Sequence, residues 1–171
     1  MDNNLAQALA ALTTGIYVLT VREHGRSHGM SSSWVTQVSG DPILFTAAVN
    51  NAHLSHGVIT RTGAFGINVV GRRGKHLEDY FYSARARRED NLDGIDFDLS
   101  PELQVPWLKL AMVSIEARVV ESHPAGDHTI FVASPVSARV YANDRPLTSL
   151  DLDYIYLGGK NLIARDRTGW D

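Results

Sequence analysis

The sequence predicts a mainly β protein, a closed or nearly closed antiparallel barrel with a few short helices. Three observations point there. Runs of β-branched and aromatic residues recur roughly every ten residues between Gly, Pro, Asn and Asp turn signals. Ala111 to Glu121 alternates, with Val113, Ile115, Ala117 and Val119 on one face and Ser114, Glu116 and Arg118 on the other, the mark of a half-buried strand. Helical periodicity is confined to short stretches.

Taken in order, Asn3 to Leu12 places Leu5, Ala8, Leu9 and Leu12 on one stripe, with Asp2 or Asn3 as N-cap and Thr13-Thr14-Gly15 as stop. Gly15 to Val21 reads as a strand that ends in a Glu23-His24-Gly25-Arg26 hairpin turn. Asp41-Pro42 breaks the next run, and Ile43 to Val49 is so continuously apolar that it predicts a strand with no solvent face. A short helix is expected near Ser55 to Arg61, closed by Gly63, then a strand over Ala64 to Val70. Lys75 to Ala84 predicts a helix with Leu77, Tyr80, Phe81 and Ala84 on one side. Arg85, Arg87 and Arg88, followed by Glu89-Asp90-Asn91, read as a solvated charged loop from which an arginine can reach a phosphate. Pro101 to Pro106 is irregular. His123 to Asp127 forms a turn, strands follow at His128 to Val132 and Pro135 to Tyr141, and a last strand-like run covers Tyr154 to Leu157.

The totals restrict function. With 171 residues and 44% hydrophobic content, one domain is the expectation. The net charge of -3 supplies no general attraction for nucleic acid or an anionic membrane. The absence of cysteine removes disulfides, thiolate nucleophiles and Cys-ligated zinc or iron–sulfur clusters. His53 and His56, or His24 and His28, are spaced like ligand pairs but lack a clear third member, so no metal is expected. The N-terminal residues lack a signal peptide's basic and apolar regions, and the expectation is a soluble, cytoplasmic protein.

The stretch Gly29 to Asn50 reads as a cradle. Gly29-Met30-Ser31-Ser32-Ser33-Trp34 offers backbone N–H groups and short hydroxyls to a flat or anionic ligand, with glycine permitting close approach; a ligand-free hairpin connection is the alternative. Ser55, at the start of its helix, reads either as an N-cap or as part of a phosphate site. His128 reads as a structural group or, with Asp127 fixing its ring, as a ligand contact. No Gly-x-Gly-x-x-Gly turn or Gly-x-Ser-x-Gly elbow is present, which argues against Rossmann-type nicotinamide binding and against a serine hydrolase.

Four strings in order bring a family into view: Gly29 to Ser39, the strand after Asp41-Pro42, Phe65-Gly66-Ile67-Asn68-Val69-Val70, and Gly126-Asp127-His128-Thr129-Ile130-Phe131. Together they resemble the flavin reductase-like family, whose fold is the FMN-binding split barrel, with one such domain over residues 1–171. The resemblance implies an NAD(P)H:flavin oxidoreductase that passes hydride from NADH or NADPH to FMN or FAD. It also implies a homodimer with flavin near the subunit interface and, often, a partner monooxygenase that receives reduced flavin. Carried onto this chain, it implies that Gly29, Met30, Ser31, Ser32, Ser33 and Trp34 line the flavin and that Ser39 sits beside the ring. Asn50 and Ser55 lie toward the phosphate, and His128, oriented by Asp127, meets the nicotinamide, with no obligatory catalytic acid or base. The chain departs from the family pattern at Ser31 to Trp34, where Trp34 is free to point into the sheet, and at Asn91-Leu92, where a basic residue and an aromatic are usual. A rival reading of the same barrel is a flavin- or haem-binding carrier or sensor without turnover.

Overall fold

The computed structural model describes residues 3–82, 88–156 and 162–165. Strands β1 (Tyr17–Glu23) and β2 (Arg26–Ser32) form a hairpin whose two turn residues, His24 and Gly25, have φ of 49° and 80°. Positive φ at both positions matches the right-handed twist of the strands it joins. Strands β3 (Val35–Gly40) and β4 (Ile43–Asn50) form a second hairpin through Asp41-Pro42. Helix α2 (Leu54–Thr62) follows and stops at Gly63, which adopts the left-handed conformation with φ 66° and donates its N–H to Ile59. Then come β5 (Ala64–Val69), α3 (Lys75–Tyr82), a small hairpin of β6 (Phe97–Leu99) and β7 (Pro106–Leu108), the long pair β8 (Val113–Ala125) and β9 (His128–Val140), and a short pair β10 (Tyr154–Tyr156) and β11 (Leu162–Ala164). Helix α1 (Asn3–Ala10) precedes them all.

Seven strands make one antiparallel sheet in the order β2-β1-β5-β8-β9-β4-β3. The rings of Phe45 on β4 and Phe65 on β5 meet edge-on at 6.0 Å although two strands separate them in that order. Only a rolled sheet permits this. Its interior holds Leu19, Val21, Ala47, Val49, Ile67, Ala117, Phe131 and Ala133, with Val58 and Ile59 of α2 packed against them. The edge strands β2 and β3 are consecutive in sequence, joined by Ser33-Trp34, and do not pair with each other. The barrel is therefore split along this seam, and the cradle lies on it.

A second core covers the outer face of β1, β5 and β8, where Val18, Leu77, Phe81, Leu92, Leu108 and Leu147 come together. This corrects the reading of β8. Ser114 and Glu116 do lie opposite the apolar face, but both are fully buried. Ser114 donates to Asn68, and the Glu116 carboxylate accepts from the amides of Leu103 (2.7 Å) and Glu102 (3.3 Å) and from the Ser137 hydroxyl. Alternation identifies the two faces of a strand but not what covers them.

Other expectations also change. The α1 stripe is exposed at Leu5, Leu9 and Leu12, while Ala6, off the stripe, is buried. Strand β4 alternates, with Phe45, Ala47 and Val49 buried and Leu44, Thr46 and Ala48 only half-buried between them, so it does have a second face. The two strands expected after His128 are one, with Pro135 opposite Ala117 where the register shifts. The β6–β7 hairpin was not expected, and Pro101 to Pro106, read as irregular, is the connection between its strands up to the first residue of β7. Ala84, Arg85, Arg87 and Leu157 lie outside the described residues.

Candidate functional site

The site begins at the free edge of β2. Gly29 lies opposite Thr20 and Ser31 opposite Val18 in the β1–β2 ladder. The Gly29 N–H donates to Oδ1 of Asn91 (2.7 Å), and the Gly29 carbonyl accepts from Nδ2 of the same side chain (2.8 Å), so both groups point away from β1. Antiparallel ladders alternate in the direction of their backbone groups, so those of Ser27 and Ser31 point the same way. The Ser27 carbonyl accepts from the Asn91 N–H at 3.3 Å. Among the described residues the Ser31 N–H and carbonyl have no protein partner and stand at the open seam.

Gly29 itself has a different duty from the one expected. A Cβ there would lie 2.6 Å from Cε1 of Phe81, and the backbone is already engaged by Asn91, so the glycine admits α3 instead of a ligand. Met30, Ser31 and Ser33 are half-buried along the seam and Ser32 is buried. Ser39 is remote from them. It pairs with Leu44 beyond a register shift, about 16 Å along β3 from Trp34 at the usual rise per residue.

An aromatic wall stands beside the seam. Trp34 turns to the outer face and packs on His128, with ring centroids 4.8 Å apart and planes at 52°, and on Tyr156 at 5.6 Å and 40°. His128, the first residue of β9, is opposite Asn50, the last of β4, and is buried. Its Nδ1 bonds Oδ1 of Asp127 at 2.7 Å. That bond holds the Asp127 carboxyl below its ordinary range, so the carboxylate accepts and Nδ1 carries the proton. Nε2 is the ring's remaining polar atom. Asn50 braces the corner: its Oδ1 accepts from the Ala52 N–H (2.9 Å) and its Nδ2 reaches Oδ2 of Asp127 (3.4 Å).

The third component is the start of α2. The N-cap is His53, whose Nδ1 accepts from the Ser55 N–H at 3.2 Å, and not Ser55. Ser55 is fully buried and its hydroxyl has no hydrogen-bond partner among the described residues. His28 on β2 lies 5.4 Å from His53 between ring centroids and donates from Nδ1 to the Arg88 carbonyl at 2.8 Å, leaving a buried Nε2 without a partner among the described residues. Burial lowers the pKa of both rings; for His53, burial and the neighbouring His28 bring it to about 4. Both imidazoles are neutral near pH 7, with the positive end of a helix dipole beside them. Of the expected arginines, Arg88 is paired with Asp93 at 2.7 Å. His56 bonds the Thr129 hydroxyl at 2.9 Å.

The structure thus brings Met30 to Trp34, Asn50, Asp127 and His128 to one end of the barrel. Sequence reasoning missed His28, His53, Asn91 and Tyr156. For His28 a signal existed, because strand alternation puts it on the same face as Met30, toward α2.

These parts suit a flat aromatic molecule with polar edges and an anionic tail: a ring wall, an open backbone edge and a helix N-terminus, with two buried polar atoms unsatisfied nearby. Known proteins give the same direction. The model of the flavin reductase like domain matches residues 9–158. An NADH-dependent flavin reductase of Rhodococcus sp. is 30% identical over 147 residues, which are 84% of this chain and 80% of the relative. The reductase component of an FADH(2)-dependent resorcinol hydroxylase of Rhizobium sp. is 30% identical over 166 residues, 96% of this chain and 92% of the relative. Among solved structures, the flavin reductase PheA2 superposes with a TM-score of 0.71 at 25% identity, over 86% of this chain and 93% of the other. A further relative is longer than this chain, which spans 62% of its length. The split barrel, its seam and these matches together place the chain: it belongs to the flavin reductase-like domain family.

Proposed function

We propose that this chain is an NAD(P)H:flavin oxidoreductase that reduces FMN or FAD. The observation that carries the reading is the wall of Trp34, His128 and Tyr156 beside the unpaired Ser31 edge of the seam. Bound flavin supplies the two-electron acceptor for a hydride from NADH or NADPH. The protein's share is positioning in a partly dry cleft, which lowers the barrier mainly by orientation. The Ser31 N–H and the hydroxyls of Ser31 and Ser33 are donors for the polar edge of a flat ring system and stabilise negative charge that builds there. The α2 N-terminus, with Asn50 and His53 beside it, is the place for the phosphate. His128, held by Asp127, presents one fixed face and one fixed tautomer to the nicotinamide.

In this reading residues 1–171 form one flavin-binding domain, the active form is a cytoplasmic homodimer, and reduced flavin is passed to a partner monooxygenase. The relative that is a hydroxylase's reductase component supports that last step. Among the described residues no helix is long and apolar enough to cross a membrane.

The test is the visible spectrum of the purified protein, with and without added FMN or FAD, before and after anaerobic NADH or NADPH. Loss of the oxidised flavin bands at a rate set by the protein is expected. Flavin binding without nicotinamide oxidation would turn the reading to a carrier or sensor, and no binding of either flavin would end it.

A further inference from the structure

We propose that Asn91 is the positioning residue of the flavin-lining strand, a single buried amide that stands in for the strand β2 lacks at its open edge. This rests on the reading of Met30 to Trp34 as flavin-lining. Asn91 is fully buried and uses every polar group it has on this task. Its side chain bonds both backbone groups of Gly29, at 2.7 and 2.8 Å, and its own N–H bonds the Ser27 carbonyl. Its carbonyl is fixed in turn by the Tyr80 hydroxyl of α3, at 2.7 Å.

Next to it, the Arg88 carbonyl accepts from His28, so the segment runs along β2 as a partner would. The clamp ends two residues short of Ser31. Between His28 and Met30, whose backbone groups face β1, bonded by Asn91 on the other side and lying under Phe81, Gly29 has little freedom, and the Ser31 groups that follow are presented in a fixed direction. Preorganisation of this kind improves affinity because less order is lost on binding.

Residue chemistry makes the assignment specific. A primary amide donates and accepts side by side and can bond an N–H and a C=O of one residue together; a carboxylate only accepts, and an ammonium only donates. Asn91 acts inward, on the protein's own backbone. The role assigned is therefore in flavin affinity and not in the hydride step.

Asn91→Asp and Asn91→Leu separate the possibilities. At pH 8, Asn91→Asp keeps the acceptor for the Gly29 N–H but puts a carboxylate against the Gly29 carbonyl. The flavin KM is expected to rise at least fivefold, with kcat at saturating flavin and the KM for NADH within twofold of the parent protein. As pH falls, the new carboxyl takes up a proton and regains a donor, so the ratio of variant to parent flavin KM returns toward one. Asn91→Leu removes both bonds, raises the flavin KM further at every pH and, in hydrogen exchange, releases the Gly29 amide at least tenfold faster. An unchanged flavin KM in Asn91→Asp at pH 8 overturns the proposal, as does a KM ratio that ignores pH, or a fall in kcat with KM constant. If Asn91→Leu does not fold, the near-isosteric Asn91→Asp decides alone. A parent protein that neither binds nor reduces flavin removes the functional reading itself, an outcome visible before any variant is made.

Discussion

An imidazole caps a helix only while its ring nitrogen is unprotonated, and this gives His53 a pH dependence of known sign. Its Nδ1 accepts the Ser55 N–H, and burial together with His28 lowers its pKa to about 4. In the unfolded chain the ring takes its proton near the ordinary 6.5. Between those values the unfolded state binds more protons, so the contribution is complete above pH 6.5 and declines as pH falls toward 4. His53→Asn supplies a cap that does not titrate. The drop in urea midpoint between pH 7 and pH 5 is expected to be smaller in His53→Asn than in the parent; equal drops would show that His53 does not carry it. His128 is tested by kinetics. His128→Ala should raise the KM for NADH or NADPH roughly tenfold, the equivalent of about 1.4 kcal/mol, and change flavin affinity little. An unchanged nicotinamide KM removes it from the site. The sequence exposed His128 through its Gly-Asp-His turn, where neighbours in the chain are also neighbours in space. His53 and His28 were hidden because they are 25 positions apart and meet only when α2 packs across the rolled sheet.

At the scale of elements, the outer face of β8 organises the covering layer. Glu116 reaches out of the sheet to the segment that leads into β7, where the amides of Glu102 and Leu103 and the Ser100 hydroxyl meet its carboxylate, and the Ser137 hydroxyl joins them from the neighbouring strand β9. Burial pushes its pKa up, and the hydrogen bonds from Ser100, Ser137, Leu103 and Glu102 outweigh that, so the net shift is downward. Its stabilising contribution is present above the unfolded carboxyl value and is lost as pH falls through the lower folded one. Glu116→Gln turns an NH2 toward groups that are themselves donors. The expected cost is about 1–3 kcal/mol, read as a lower urea midpoint with an unchanged slope. A midpoint equal to the parent's would show that the segment holds without this anchor. Strand periodicity located β8 and its two faces correctly. It could not show that Glu116 is buried, since that depends on residues 97–108 folding back over the sheet, and a short hairpin leaves little periodic signal.

For the whole molecule, the legible parts of the fold were those set by local pattern: strands, hairpin turns, the Gly63 stop and the clustering of the cradle with the Gly126 turn. What a single sequence withheld was where apolar surface goes. The pattern places Leu5, Leu9 and Leu12 on one stripe without saying what covers it, and Leu12 is 67% exposed with Leu5 and Leu9 open beside it. Ile43 at the β3–β4 turn and Val140 at the end of β9, 72% exposed, are open as well. Single exposed apolar residues need no explanation, but three leucines on and just after one short helix make a candidate contact face. The proposed homodimer would cover this face, provided its interface reaches the 1,200–2,000 Å² or so of a stable contact. Light scattering should then give twice the 18.8 kDa chain mass from micromolar concentration upward. Leu12→Glu and Val140→Glu place a charge on each candidate face, and the one that lies in the interface should lower the mass toward one chain. If flavin binds near that interface, the same variant loses flavin affinity in parallel with its dimer. A parent protein with the mass of one chain at every concentration contradicts the homodimer, and a dissociated variant that keeps full flavin affinity places the seam site within a single chain.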